Sequence, residues 1–186
     1  MLTSEEPPKF PFLTLLISGG HTLLLLVTST TGFRILATTE DGAIGHCIDR
    51  VVRLLKLEWG SLGPGAALEE FVNEDPNPDI SDIPPLPIVT QGRLFFSFGG
   101  YHSWMERYLT AQGGIETFDV PRKRRLARAF QASISAHLEE KVLLGLKWCT
   151  DQDIHVEDLV VSGGVASNHY LRQRQVPATV MLHFLR

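Results

Sequence analysis

The sequence predicts an α/β fold, and three observations carry that expectation. Apolar runs of strand length alternate with longer stretches in which apolar residues recur at helical spacing. Two of the short runs end in the same tripeptide: Ser18-Gly19-Gly20 follows Ile17, and Ser162-Gly163-Gly164 follows Val161. The chain has 186 residues, 44% hydrophobic and 20% charged, which suits one sizeable domain or two small ones of ordinary globular balance.

The elements follow in order. Residues 10–17 and 23–28 read as the two strands of a hairpin, and residues 33–38 as a third strand. The joint Ser18-Gly19-Gly20-His21-Thr22 is longer than the two-residue turn a plain hairpin needs. Residues 41–57 predict a helix, with Ile44, Cys47, Ile48, Val51, Val52, Leu54 and Leu55 near helical spacing and Asp41 as its N-cap. The glycines and proline of WGSLGPG end it, and residues 66–73 follow as a short second helix. Residues 74–93 form a proline-rich excursion with little room for regular structure. LFFSFGGYHSWMERYL begins as a strand, turns at Gly99-Gly100 and continues as a helix. Pro121 suits the first position of a long helix with Asp119 near the cap. Leu126, Phe130, Ile134, Leu138, Val142, Gly145 and Trp148 share one side of that helix. EDLVVSGGVASNHYLRQR then predicts strand, glycine turn and helix, and the tail QVPATVMLHFLR has no clear period.

Composition removes several function classes. A net charge of −4 excludes nucleic-acid binding through bulk positive charge, so any such contact rests on a local patch. No apolar run reaches the length of a membrane span. MLTSEEPPKFPF carries acidic residues and prolines where a targeting peptide is basic, so any organellar signal is expected upstream of this segment. Cys47 and Cys149 suit a reducing compartment, and neither has a CxxC partner. No two of the seven histidines lie three or four residues apart, so no helix presents a paired metal site. The absence of GxSxG, Walker A and GxGxxG motifs argues against hydrolase, P-loop and Rossmann readings. No nucleophile–base pair suited to peptide cleavage is apparent.

The remaining features point to an anionic ligand. Glycines let a backbone approach a ligand closely and turn its N–H groups toward phosphate oxygens. The helix expected after Gly164 adds a favourable partial charge at its N-terminus. Asp49 lies mid-helix, where Asp is a poor helix former. It reads either as an ion-pair partner of Arg50 or Arg53, or as a carboxylate that accepts a hydrogen bond from a ligand hydroxyl. Arg122, Lys123, Arg124 and Arg125 open the long helix against its macrodipole, as a solvated face or as a site for an anionic partner.

Five blocks, LLISGGHT, CIDR, FSFGGYHS, ARAFQASI and LVVSGGVASNHYLR, resemble in order those of the tRNA threonylcarbamoyladenosine transferases, a family also called glycoproteases or O-sialoglycoprotein endopeptidases. The resemblance covers about residues 10–174, and SGGHT is similar to the bacterial and organellar branch. It implies an α/β fold of the actin/Hsp70/sugar-kinase (RNase H-like) type, with most of the N-terminal subdomain and the C-terminal end missing. Residues 1–9 then form an extension, 10–174 a partial transferase domain and 175–186 a divergent tail.

The same resemblance implies transfer of a threonylcarbamoyl group from threonylcarbamoyl-AMP to N6 of the adenosine beside the tRNA anticodon. Carried over by position, Leu16, Ile17, Ser18, Gly19 and Gly20 line the acyl-phosphate. Asp49 binds the substrate, Gly65 is the glycine of the following turn, and Asn168 closes the loop of Gly163 and Gly164 on the nucleotide. Arg122, Lys123, Arg124 and Arg125 would contact tRNA. No catalytic residue is assigned, since positioning and oxyanion stabilisation would carry the reaction. One divalent metal ion per subunit, zinc or iron, is implied for complete members, held by a histidine pair and an aspartate that fall outside this chain. The implied partners are tRNA and threonylcarbamoyl-AMP, with a homodimer admitted and no membrane; the implied compartment is the mitochondrion, or otherwise the cytoplasm. WGSLGPG stands where the family has YPGGP, and SFGGYHS where it has SFSGLKT. A truncated member whose own turnover is in question is therefore expected. The alternatives are a small-molecule kinase of the same superfold and a non-catalytic, partner-binding fragment.

Overall fold

Two apolar runs at the N-terminal end fold into an antiparallel hairpin whose side chains alternate between buried and half-buried. Strands β1 (Phe12–Ile17) and β2 (Thr22–Val27) pair from Phe12 with Val27 to Ile17 with Thr22. The computed structural model describes residues 7–173 and 181–184. Strand β3 (Phe33–Ala37) adds antiparallel to β2, with a register shift between Leu24 and Leu25. Strand β4 (Asp158–Ser162) lies parallel to β1 on its other side, and β5 (Met181–Phe184) lies parallel to β4, giving the order β3-β2-β1-β4-β5. The fifth strand comes from the part of the tail without a readable period. Inside the sheet, His183 and Asp158 hold it at 2.6 Å. Residues 1–6 of the expected extension, and 175–180, 185 and 186 of the expected tail, lie outside the described residues.

The helices are α1 (Ile44–Leu54), α2 (Pro64–Asn73), α3 (Gly99–Ala111), α4 (Val120–Asp151) and α5 (His169–Gln173). Asp119 caps α4 as expected, its Oδ1 accepting from the Arg122 N–H at 2.8 Å, with Pro121 in the first turn. The expected apolar side of α4 is buried from Leu126 through Val142. Gly145 lets the helix lie directly on the hairpin, since a Cβ there would stand 2.5 Å from Leu24 Cδ2. One core cluster joins Leu13, Leu15, Ile17, Leu24 and Leu26 of the sheet with Ile44 and Val51 of α1, Met105 of α3 and Phe130 of α4.

Two helix starts differ from the sequence expectation, and in each a side chain distant in sequence supplies the cap. Helix α1 begins at Ile44 rather than Asp41, and the fully buried Thr22 hydroxyl accepts the Ile44 N–H at 2.9 Å. Asp41 instead caps α3. Its Oδ2 accepts from the Gly99 N–H at 2.9 Å and the Ser97 hydroxyl at 2.6 Å, with the Phe98 N–H at 3.1 Å. Gly99 and Gly100 are therefore the first turn of α3, not a bend before it. The strand expected ahead of them shrinks to a single bridge between Thr39 and Phe96. Beyond Gly164 the chain forms a 3-10 turn, Gly164–Ser167, and then only the five residues of α5.

Burial on its own would raise the Asp41 pKa. The Ser97 hydroxyl and the Gly99 and Phe98 N–H groups outweigh it and hold the carboxyl below 3.8. A carboxyl depressed on folding stabilises the protein above its unfolded pKa, and that contribution is lost as pH falls through the folded one. Asp41→Asn is expected to cost about 1 kcal/mol at pH 7. The gap to wild type should narrow below about pH 4. Urea midpoints of both proteins at pH 7 and pH 3 measure it.

Candidate nucleotide-binding cleft

Both glycine turns leave the same end of the sheet, because β1 and β4 run parallel with Leu16 opposite Ser162. Gly163, at φ +103°, lies against β1, where a Cβ would stand 2.3 Å from the Ile17 carbonyl oxygen. Strand contact by itself requires this glycine. The first turn is braced from within. Ser18 Oγ accepts from the His21 N–H at 3.0 Å, and the Ser18 N–H donates to the His21 carbonyl at 2.8 Å. Gly45, in the first turn of α1, donates to the Ser18 carbonyl at 3.2 Å, and a Cβ on it would meet Gly19 Cα at 2.7 Å. Helix α1 is thus docked on the loop. Asp49, one turn further along, faces the space beyond it.

That space is a cleft of about 300 Å³. Of the residues singled out in the sequence, Gly19, Asp49, Gly65, Gly164 and Asn168 line it. Leu16, Ile17, Ser18 and Gly163 are not in its wall but form the strand ends and turns that carry Gly19 and Gly164. Gly20 is exposed, with nothing within 4 Å of a Cβ placed on it. Asp49 is half-buried and makes no ion pair among the described residues. Arg53 stacks over Trp59 instead, 4.9 Å from the ring centroid. Asn168 Oδ1 accepts from the Leu171 N–H at 3.1 Å and so caps α5, which leaves the carboxamide N–H₂ as the donor it can offer to a ligand.

Glu69, absent from the sequence expectations, also lines the cleft. Its Oε1 accepts the His169 N–H at 2.7 Å, tying α2 to the turn after β4. The two residues are 100 positions apart, so no local spacing could have signalled the pair.

The basic turn of α4 is largely engaged within the chain. Arg122 lies 4.1 Å from the Phe118 ring centroid and donates to Gln112 Oε1 at 2.7 Å. Arg124 donates to the Phe71 carbonyl at 2.8 Å and pairs with Glu74. Arg125 grips both carboxylate oxygens of Asp82 in the proline-rich excursion, at 2.9 to 3.2 Å. Lys123 donates its backbone N–H to the Asp119 carbonyl at 3.0 Å, and alone of the four makes no side-chain hydrogen bond or ion pair among the described residues.

Among the described residues, no three His, Cys, Asp or Glu side chains converge as a metal cage, so these residues do not fit the metal that the family resemblance implies. Cys47 is no nucleophile at neutral pH: burial, with the Asp41 charge added, pushes its thiol up to about 12.

A mixed sheet of order β3-β2-β1-β4-β5, with two glycine turns closing one cleft, defines an α/β domain of the actin/Hsp70/sugar-kinase class. A solved structure, component A of (R)-2-hydroxyglutaryl-CoA dehydratase from Acidaminococcus fermentans, shares the fold at a TM-score of 0.50 and 16% identity, over 95% of this chain and 56% of that one. The chain belongs to the tRNA N6-adenosine threonylcarbamoyltransferase family, whose model matches residues 1–184. It is 32% identical over 184 residues to the mitochondrial tRNA N6-adenosine threonylcarbamoyltransferase of Schizosaccharomyces pombe, covering 97% of this chain and 43% of that protein. It is 37% identical to the Bartonella tribocorum enzyme over 88% of this chain and 45% of the relative. A probable mitochondrial enzyme of Arabidopsis thaliana is 32% identical over 91% and 36%, respectively. The chain spans less than half the length of each of these curated relatives.

The two glycines of the second turn should respond differently to a methyl group. Gly163→Ala combines a clash at the Ile17 carbonyl with a positive φ and is expected to cost about 1–3 kcal/mol or more. Gly164→Ala meets no atom within 4 Å and should stay within about 0.5 kcal/mol of wild type. Denaturant midpoints of the two variants decide it.

Proposed function

We propose that this chain carries the adenylate-binding part of a tRNA N6-adenosine threonylcarbamoyltransferase, with residues 10–174 as its partial transferase domain. One observation above the others supports the reading: Asp49, Gly65 and Asn168 come from three separate elements and meet Gly19 and Gly164 on one cleft. In this reading the Gly19 N–H, which the turn does not use internally among the described residues, faces the acyl-phosphate of threonylcarbamoyl-AMP, while the Ser18 and Gly20 N–H groups hold the turn in shape. Asp49 accepts a hydrogen bond from a substrate hydroxyl, and the Asn168 N–H₂ donates to the nucleotide. Glu69 keeps the Gly65 and Asn168 walls at fixed separation.

The reaction forms a bond from adenosine N6 to the carbamoyl carbon and breaks the bond from that carbon to the phosphate oxygen. AMP leaves with the negative charge, and the N6 proton passes to solvent. This chain's contribution is to hold the donor and favour charge on the departing phosphate. Lys123 is the cation of the basic turn available to a tRNA phosphate, while Arg122, Arg124 and Arg125 hold the surface beside it. Two of the relatives are named as mitochondrial, and we place this chain in the same compartment.

Calorimetric titration of the chain with AMP tests the assignment. Asp49→Asn and Asn168→Ala are each expected to weaken binding about tenfold or more, as the loss of one hydrogen bond to a charged or polar partner would. The thermal midpoint of Asp49→Asn should stay near wild type, since its side chain is outside the core; Asn168→Ala also loses the α5 cap, about 1 kcal/mol, so its affinity is read well below its own midpoint. Wild-type affinity in both variants would overturn the site.

A further inference from the structure

Arg128 lies in the first third of α4, only 7% exposed and outside the cleft wall. Among the described residues it has no carboxylate partner. Taking a guanidinium out of water without one is costly, and an apolar side chain of similar length would fill the space without that cost. What the guanidinium does there is join three segments. One Nη donates to the Pro76 carbonyl at 2.7 Å, just beyond α2, and the other to Gln131 Oε1 at 3.2 Å on its own helix. Its Cζ lies over the Tyr170 ring of α5, 4.8 Å from the centroid. The buried Nε finds no acceptor among the described residues, so the group is not placed for the largest number of hydrogen bonds. The ring contact is the one that reaches α5.

Helix α5 depends on such support, because five residues are too few to hold a helix by backbone bonds alone. Asn168 stands directly before it and lines the cleft. Its Oδ1 is committed to the Leu171 N–H, so the direction of its N–H₂ follows the orientation of the α5 turn. Three contacts from other elements hold that turn. Glu69 of α2 accepts the His169 N–H at 2.7 Å, Arg128 of α4 covers Tyr170, and Arg172 at the far end stacks on Phe184 of β5. The Glu69 and Arg128 contacts fall on the two residues that follow Asn168, so they bear on it most directly.

We propose that Arg128 is a positioning residue of the cleft: by holding Tyr170 it sets the direction in which Asn168 presents its N–H₂ to the nucleotide. This rests on the reading of the cleft as an adenylate site. The choice of arginine follows from the task. Its planar fork stacks on a ring while keeping in-plane donors for Pro76 and Gln131, a combination the ammonium of lysine cannot supply. Through Pro76 the same guanidinium ties in the chain leaving α2, the helix whose Glu69 makes the contact to His169. The α2 and α5 walls of the cleft therefore share one anchor on α4.

A double-mutant cycle on AMP affinity tests it, by calorimetric titration of the full 186-residue chain well below each variant's thermal midpoint. Arg128→Met keeps an apolar stem and removes the guanidinium. It is expected to weaken AMP binding about fivefold in the otherwise wild-type chain, and less than about twofold in the Asn168→Ala background. Combined with Asp49→Asn, on a separate wall, the two losses should multiply. Tyr170→Leu removes the ring and leaves the Arg128 bonds to Pro76 and Gln131. It should reproduce both results where Arg128→Met fails to fold, as far-UV circular dichroism will report. Wild-type affinity in the folded variants overturns the proposal. So does the same fold loss with and without the Asn168 side chain, which is what general loosening gives. A wild-type chain that binds no AMP overturns the cleft reading instead. The Asn168 carboxamide resonances of the ligand-free chain then decide this one: they are expected to move in the folded variant, and unmoved signals overturn it.

Discussion

The parallel pairing of β1 with β4 is the contact on which the rest of the molecule depends. It aligns two segments far apart in sequence so that both release their Ser-Gly-Gly turns at one end of the sheet. Gly163 then presses on the Ile17 carbonyl at a distance no side chain tolerates. The two turns become a single backbone surface, and everything that lines the cleft is placed relative to it. A ligand bound there would contact N–H groups fixed by strand hydrogen bonds, which need little reordering on binding.

From that surface the helices are fixed by caps that come from elsewhere in the chain. Thr22, the last residue of the SGGHT joint, satisfies the first N–H of α1, while Ser18 holds the joint shut. The loop's polar residues therefore serve two ends: one braces the turn and the other starts the helix that carries Asp49 into the cleft. Asp41 does the same for α3, collecting three donors around Gly99. Such caps stabilise a helix only when the tertiary fold brings donor and acceptor together, so secondary and tertiary structure form as one unit here.

Helix α4 supplies the opposite wall of the core and also holds the proline-rich excursion. Arg125 takes Asp82, Arg128 takes the Pro76 carbonyl, and the fully buried Lys141 takes the Thr90 carbonyl beside Glu140. Cations at the start of a helix oppose its dipole, a cost of a few tenths of a kcal/mol each that nearby carboxylates offset. The order in the excursion thus comes from side chains rather than from a regular backbone pattern.

Much of the fold was legible in the sequence because its cause is local. Apolar runs of strand length set β1 to β3, and Asp119 and Pro121 set the start of α4. The repeated Ser-Gly-Gly pointed to one end of the sheet, and the family resemblance singled out Asp49, Gly65 and Asn168, which line the cleft there. What the sequence left unread was non-local: Asp41 on α3 instead of α1, Thr22 as a cap, Glu69 reaching His169, and a fifth strand with no period of its own. Periodicity and turn chemistry are properties of neighbouring residues and survive without a fold. A hydrogen bond between residues 22 or 100 positions apart exists only once the sheet has closed the distance, and only the tertiary structure decides it.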